Sequence, residues 1–194
     1  MTSGVLALLR RFVLPGLLML ATLVAIVPAV SAAEAEVTSA KVEATEDGYR
    51  LNASFSFELN HGLVDAITKE IPLTFTTEVE VTRSRWYWFD EKTVRVAQSV
   101  RIGYNPWTRQ YTATTNNGLQ QNFSTLDEAL ILVQRPRRIL LADKNSLTSG
   151  ALYNVAVKLK LDLSYLPKTF LIAAINNSDW RVSSDWKRFT FRAE

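Results

Sequence analysis

Four stretches of this chain alternate apolar and polar residues with a period of two. That pattern constrains the fold more than any other feature. Leu51, Ala53, Phe55, Phe57 and Leu59 alternate with Asn52, Ser54, Ser56 and Glu58. Phe75, Thr77, Val79 and Val81 alternate with Thr76, Glu78, Glu80 and Thr82. Val94, Val96, Val100, Ile102 and Tyr104 alternate with Arg95, Ala97, Ser99 and Arg101. Tyr153, Val155, Val157, Leu159, Leu161 and Leu163 alternate with Asn154, Ala156, Lys158, Lys160 and Asp162. Successive side chains of a strand point to opposite faces, so each stretch has one face in a core and one in water. Half-buried strands of this kind are the antiparallel signature. Weaker strands are expected over residues 37–45, 110–115, 170–175 and 187–191.

Two segments carry a helical period. Residues 63–69 follow Asn60, a good N-cap, and end before Pro72. Residues 125–134 open with a capping-box arrangement of Ser124, Thr125, Asp127 and Glu128. Their apolar positions Leu126, Ala129, Leu130 and Val133 fall on one helical face, and Pro136 stops them. Turn signals lie at Glu46-Asp47-Gly48, Asn105-Pro106, Asn116-Asn117-Gly118, Ser149-Gly150 and Leu166-Pro167. The expected fold is all-β: an antiparallel two-sheet sandwich of seven or eight strands, immunoglobulin-like, with two short helices. Its core should hold Phe55, Phe57, Val79, Val81, Val94, Val100, Ile102, Val155, Val157, Leu159 and Leu161.

The N-terminus reads as a targeting segment. Arg10 and Arg11 precede an apolar run over residues 12–30, and Ala29, Val30, Ser31, Ala32 and Ala33 supply small residues for cleavage. Residues 1–32 are therefore expected to be a signal peptide, an N-terminal hydrophobic helix, with an uncleaved anchor as the alternative. The run is barely long enough to span a bilayer, and Pro15, Gly16 and Pro28 weaken it. Residues 33–194 then form a single domain. The expected location is the periplasm, tethered to the inner membrane through residues 12–30 where the segment is retained.

Composition narrows the chemistry. The 194 residues contain no cysteine, one histidine (His61) and seven glycines. Cysteine nucleophiles, disulfide scaffolds, Gly-rich phosphate loops and Cys/His zinc sites are excluded. The formal charge is +3, but loss of Arg10 and Arg11 leaves 20 bases against 19 acids. A balanced domain has no large field to gather phosphates, so no nucleic-acid partner is expected. Neither a metal nor a cofactor is expected.

Aromatic and basic residues cluster in three places. Arg85, Trp86, Tyr87, Trp88, Phe89 and Asp90 form the densest group. Four consecutive aromatics cannot share one face of a strand. They form either a partner platform beside arginine or a strand end packed on both faces. Residues 104–111 read as a hairpin whose turn begins at Asn105-Pro106, with Arg109 beside the tip and Trp107 at it, expected to fold back as a lid rather than to stand exposed for function. Asp185, Trp186, Lys187 and Arg188 lead into the last strand, where Asp185 is placed to accept hydrogen bonds from backbone amides. These twelve residues are the candidate interaction surface. Arg135, Arg137 and Arg138 bracket Pro136 at a helix C-terminus, which the helix dipole favours. His61 reads as a surface or capping residue.

Five of these motifs, in order, resemble a known family. They are Arg85-Trp86-Tyr87-Trp88-Phe89-Asp90-Glu91, Tyr104-Asn105-Pro106 with Thr108-Arg109-Gln110-Tyr111, Thr125-Leu126-Asp127-Glu128-Ala129-Leu130, Leu166-Pro167-Lys168, and Ser184-Asp185-Trp186-Lys187-Arg188-Phe189. They resemble a proteobacterial family of exported proteins, the domain of unknown function 4390, over residues 37–191. The resemblance implies export and brings no catalytic residues. The leading expectation is a non-enzymatic periplasmic module that docks to an envelope protein. The second is a small-ligand or glycan binder using Trp88, Trp107 or Trp186 as a stacking surface. The third is an enzyme using acids such as Asp90 and Asp185.

Overall fold

A computed structural model describes residues 34–83, 91–136 and 138–194. The targeting segment, and the hydrophobic helix expected in it, lies outside the described residues, as do Arg85, Trp86, Tyr87, Trp88, Phe89, Asp90 and Arg137. Ten strands are present among the described residues. They are β1 (Glu34–Thr45), β2 (Gly48–Ser56), β3 (Leu73–Arg83), β4 (Glu91–Asn105), β5 (Gln110–Thr115), β6 (Gln120–Phe123), β7 (Ile139–Asp143), β8 (Leu152–Leu161), β9 (Ser183–Ser184) and β10 (Lys187–Arg192). Three helices accompany them: α1 (His61–Thr68), α2 (Leu126–Gln134) and α3 (Lys168–Ile175).

The mostly-β expectation holds, and the two-sheet immunoglobulin-like sandwich is corrected. The strands join in one path, β6-β5-β4-β3-β8-β9-β1-β2-β7, with β10 also paired to β8. The sheet is mixed, because β1 runs parallel to β9 through Glu34–Ser183 and Ala35–Ser184 while the other pairs are antiparallel. It curls into a half-barrel. Register shifts at Val37/Ser39, Tyr49/Arg50 and Val81/Thr82 add local bend to the ordinary strand twist. Alternation tells each strand which face is apolar, but not which strand it pairs with.

The apolar faces line the inside of the curl. Leu51, Phe55, Phe75, Val79, Val81, Ile102, Val155, Val157 and Leu159 are all buried, and the Phe57 and Phe75 rings stack with centroids 5.5 Å apart. Every expected core residue is in this cluster, with Val94 only partly buried. Helix α2 links β6 to β7, the two terminal strands of the path, and inserts Ala129, Leu130 and Val133 into the core. Thr125 Oγ1 accepts the Glu128 amide at 3.3 Å, and the Glu128 carboxylate accepts the Ser124 amide at 3.1 Å. Asn60 caps α1 by accepting the Leu63 amide at 3.0 Å.

Residues 170–175 are helical in α3, not the strand expected from their apolar run. Pro167 sets a helix-compatible φ of −56° immediately before Lys168. The run Phe170-Leu171-Ile172-Ala173-Ala174-Ile175 has no period of two to hold a strand.

Candidate functional site

The chain's last strand leaves a seam in the sheet. After Ala35, β1 pairs only with β2, and β10 pairs only with β8, among the described residues. Strands β9 and β10 both run antiparallel to β8, so β1 and β10 run in the same direction. Their edges part where β9 ends. Two side-chain bonds cross the seam. Lys187 Nζ donates to the Val37 carbonyl at 3.2 Å, and the Tyr49 hydroxyl donates to the Glu194 carbonyl at 2.7 Å. Beneath the second bond, Phe191 packs against Tyr49 and Tyr153, each with ring centroids 5.7 Å apart.

The break between β9 and β10 has a local cause. The Leu159 amide donates to Ser184 Oγ at 3.0 Å, and Ser184 Oγ donates in turn to the Asp185 carbonyl at 3.0 Å. A buried hydroxyl replaces a ladder carbonyl here and frees Asp185 and Trp186 to bulge outward. The tie ahead of the last strand is therefore made by Ser184, where sequence reasoning assigned it to the Asp185 carboxylate. A notch of about 510 Å³ opens at this point, lined by Ala35, Glu36, Val37, Asp185, Trp186 and Lys187. Trp186 is half-buried, with Lys158 Nζ 6.0 Å from its ring centroid. A second hollow of about 530 Å³ lies at the other end of the seam, against Thr45, Gly48, Tyr49 and Glu194.

Side-chain polarity at the seam favours hydrogen bonding over proton transfer. Ala193 donates its amide to the Ala151 carbonyl at 3.0 Å, so that amide faces the β8 side. Strand alternation then turns the amides of Arg188, Thr190 and Arg192 outward. The strand is six residues long, about 20 Å of open edge. Beside it, on the outer face, Glu80, Thr82, Asn154, Arg188 and Thr190 edge a hollow of about 480 Å³. Arg95 Nη2 sits 2.6 Å from Glu80 Oε1, and Lys160 Nζ sits 2.8 Å from Glu78 Oε1. The Glu78 carboxylate raises the Lys160 ammonium above its ordinary range.

The structure separates the two sequence clusters that it describes. Asp185, Trp186, Lys187 and Arg188 lie at the seam. Trp107 and Arg109 lie on the β4–β5 hairpin, where Asn105 Oδ1 accepts the Trp107 and Thr108 amides at 2.9 and 3.3 Å. Trp107 is 93% exposed, so it is not folded back as a lid. Arg109 takes the left-handed φ of 55° that closes the turn. Residues 85–90 lie outside the described residues; Arg83 and Glu91, the described residues on either side of 84–90, pair at the opposite end of β4 from Asn105. Fourteen residue steps along β4 separate the two ends, roughly 45 Å of extended strand. Sequence reasoning missed Ser184, Tyr49, Tyr153 and Phe191 at the seam. Tyr153 was visible in the alternation, but the partner of an aromatic is a matter of topology.

His61 is exposed at the start of α1, with Nδ1 3.8 Å from Asp65 Oδ2. Among the described residues, no group of three or more His, Cys, Asp or Glu side chains is arranged to hold a metal ion. Among them too, no helix is long and apolar enough to cross a membrane.

A curled mixed sheet with an unpaired seam defines the class of domain. The chain belongs to the family described as Domain of unknown function (DUF4390), which matches residues 32–190. No curated protein and no solved structure matches the chain.

Proposed function

We infer that this protein is a non-enzymatic interaction module of the bacterial cell envelope, and that it receives an extended segment of a partner protein along the seam between β1 and β10. One observation carries the reading: two adjacent strands running in the same direction each leave an edge unpaired among the described residues. An open edge offers a row of amides and carbonyls, and a partner segment that adds as a strand gains main-chain hydrogen bonds there. The side chains of Trp186, Lys187 and Arg188 flank that edge and supply specificity to it. Export to the periplasm rests on the N-terminal sequence, with its basic pair, apolar run and small-residue zone.

The small-ligand reading draws on Trp186 and its notch, where an aromatic face and Lys158 lie together. The notch is open to solvent, whereas small-ligand sites enclose most of what they bind. The enzyme reading has less support, because Asp185 stands on an exposed bulge.

The test is photo-crosslinking in living cells. A photoreactive residue replaces Glu36 or Thr190 in turn, with Asn116, in the β5–β6 turn, as the control position. The expected result is one abundant protein adduct from both seam positions and none from the control. Thr190→Pro removes an outward amide at an edge, a place where proline is tolerated, and should abolish the Glu36 adduct. No adduct from either seam position in a folded, exported chain would overturn the reading and favour a small ligand.

A further inference from the structure

Five of the nine large apolar residues exposed on the described surface lie at one end of the sheet: Trp107, Tyr165, Phe170, Ile172 and Ile175. Pairing fixes which end this is. Strand β8 finishes at Leu161, and the turn with Tyr165 and helix α3 follow directly. Ser183 pairs with Lys160 and also with Glu34, so β1 begins at that same end. Asn60 Nδ2 donates to the Asp179 carbonyl at 2.6 Å, which ties α1 to the turn that packs on α3. The β4–β5 hairpin projects there as well, beyond the Leu73–Ile102 pair.

Helix α3 is unusual for a surface helix. From Phe170 to Ile175 it has no polar residue, and only Ala174 is buried. A helix that is apolar on every side belongs in a core or against lipid. Aromatic residues such as Tyr165 and Trp107 favour the headgroup region, where a ring sits between apolar and wet surroundings. Charge at this end gives no net attraction to anionic lipid: Glu34, Asp65, Glu70, Asp162 and Asp179 stand against Lys69, Arg109, Lys168 and Arg181. Attraction here is therefore apolar rather than electrostatic.

The chain itself names the occupant. The apolar run of residues 12–30 ends four residues before Glu34, and four residues span at most about 14 Å. A run of that composition enters a bilayer, and Glu34, which begins β1 at the end that carries α3, follows it by four residues in sequence. We propose that this end seats on a phospholipid bilayer, with Phe170, Ile172 and Ile175 inserted at the acyl boundary. The seam lies along β10, which leads away from that end, and stays open to a partner while the domain is seated. The proposal is independent of the seam's function.

The absence of cysteine makes the test direct. Single variants Ile172→Cys and Leu152→Cys of the full chain are labelled with an environment-sensitive fluorophore. They are then placed in vesicles of phosphatidylethanolamine and phosphatidylglycerol, with or without nitroxide-bearing lipid. Leu152 is exposed and lies nine residues up β8 from Leu161, about 30 Å away. The expected result is loss of more than about half the emission at position 172, as for an interfacial helix, with little loss at 152. Equal quenching at the two positions, or none at 172, overturns the proposal. A photoreactive residue in place of Phe170 checks the other occupants in cells. An adduct with another protein, or one of twice the chain's mass, also overturns it. Failure here leaves the Glu36 and Thr190 adducts intact, so the two readings fail separately.

Discussion

Ser184 accepts the Leu159 amide and donates to the Asp185 carbonyl, so one buried side chain spans the break in the β8 ladder. Removing it leaves a buried amide without a partner, which costs about 1–3 kcal/mol. Ser184→Ala is therefore expected to lower unfolding stability by about that amount, measured by urea denaturation, while Ser184→Thr keeps most of it. An unchanged midpoint for Ser184→Ala would show that the hydroxyl does not hold the junction. Gly48 is a second residue of this kind. Its φ is 147°, and an added Cβ would meet the Ala142 carbonyl at 2.3 Å, so β2 and β7 approach there only because the side chain is absent. Residues of both kinds were weakly legible in the sequence. The turn signal at Glu46-Asp47-Gly48 was plain, because glycine after a polar pair marks a turn by its own chemistry. The role of Ser184 was hidden, because its partner is 25 residues away in the chain.

The β1–β2 hairpin turn shows how an element is held. Asp47 accepts from Arg50, and Thr45 Oγ1 donates to Asp47 at 2.7 Å. The Arg50 guanidinium, helped by the Thr45 hydroxyl, holds the Asp47 carboxyl well below the usual carboxylate range, and Asp47 raises Arg50 in turn. A carboxyl lowered in the folded state contributes stability above its unfolded pKa and loses it as the pH falls below. Asp47→Asn should thus lower the melting temperature at neutral pH, and the gap from the parent chain should narrow below about pH 4. The pair is at the surface, so salt should shrink the gap as well. A gap that is constant from pH 7 down to acid would contradict the assignment. At this scale the sequence was most readable where signals are local. The N-cap Asn60 stands where expected, Thr125 and Glu128 close the expected capping box, and the four alternating stretches are strands over most of their length. Helix α3 was misread because a short apolar run suits a strand or a helix equally, and the deciding influence was Pro167 together with the surface on which the run lies. Strands β6, β7 and β9 carry too few residues to show a period.

Across the whole molecule, the strand order and the curl come from pairings that are distant in sequence. β3 joins β8, β8 joins the last strands, and β9 hands the sheet back to β1. Alternation fixed the inner faces, and the expected core assembled, but nothing in a period of two distinguishes one curled sheet from two stacked ones. The same limit applied to the candidate surface. The sequence grouped Trp107, Arg109, Asp185, Trp186, Lys187 and Arg188 by composition, and the topology divided them between a hairpin tip and a seam. Partner binding at the seam requires the edge of β10 to be open. Amide hydrogen exchange on the purified full chain measures this residue by residue. The amides of Phe189 and Phe191, directed at β8, should be protected, while those of Arg188, Thr190 and Arg192 exchange on the order of a hundredfold faster. Uniform protection along residues 188–192, as in an interior strand, would show the edge to be already paired and would contradict the account.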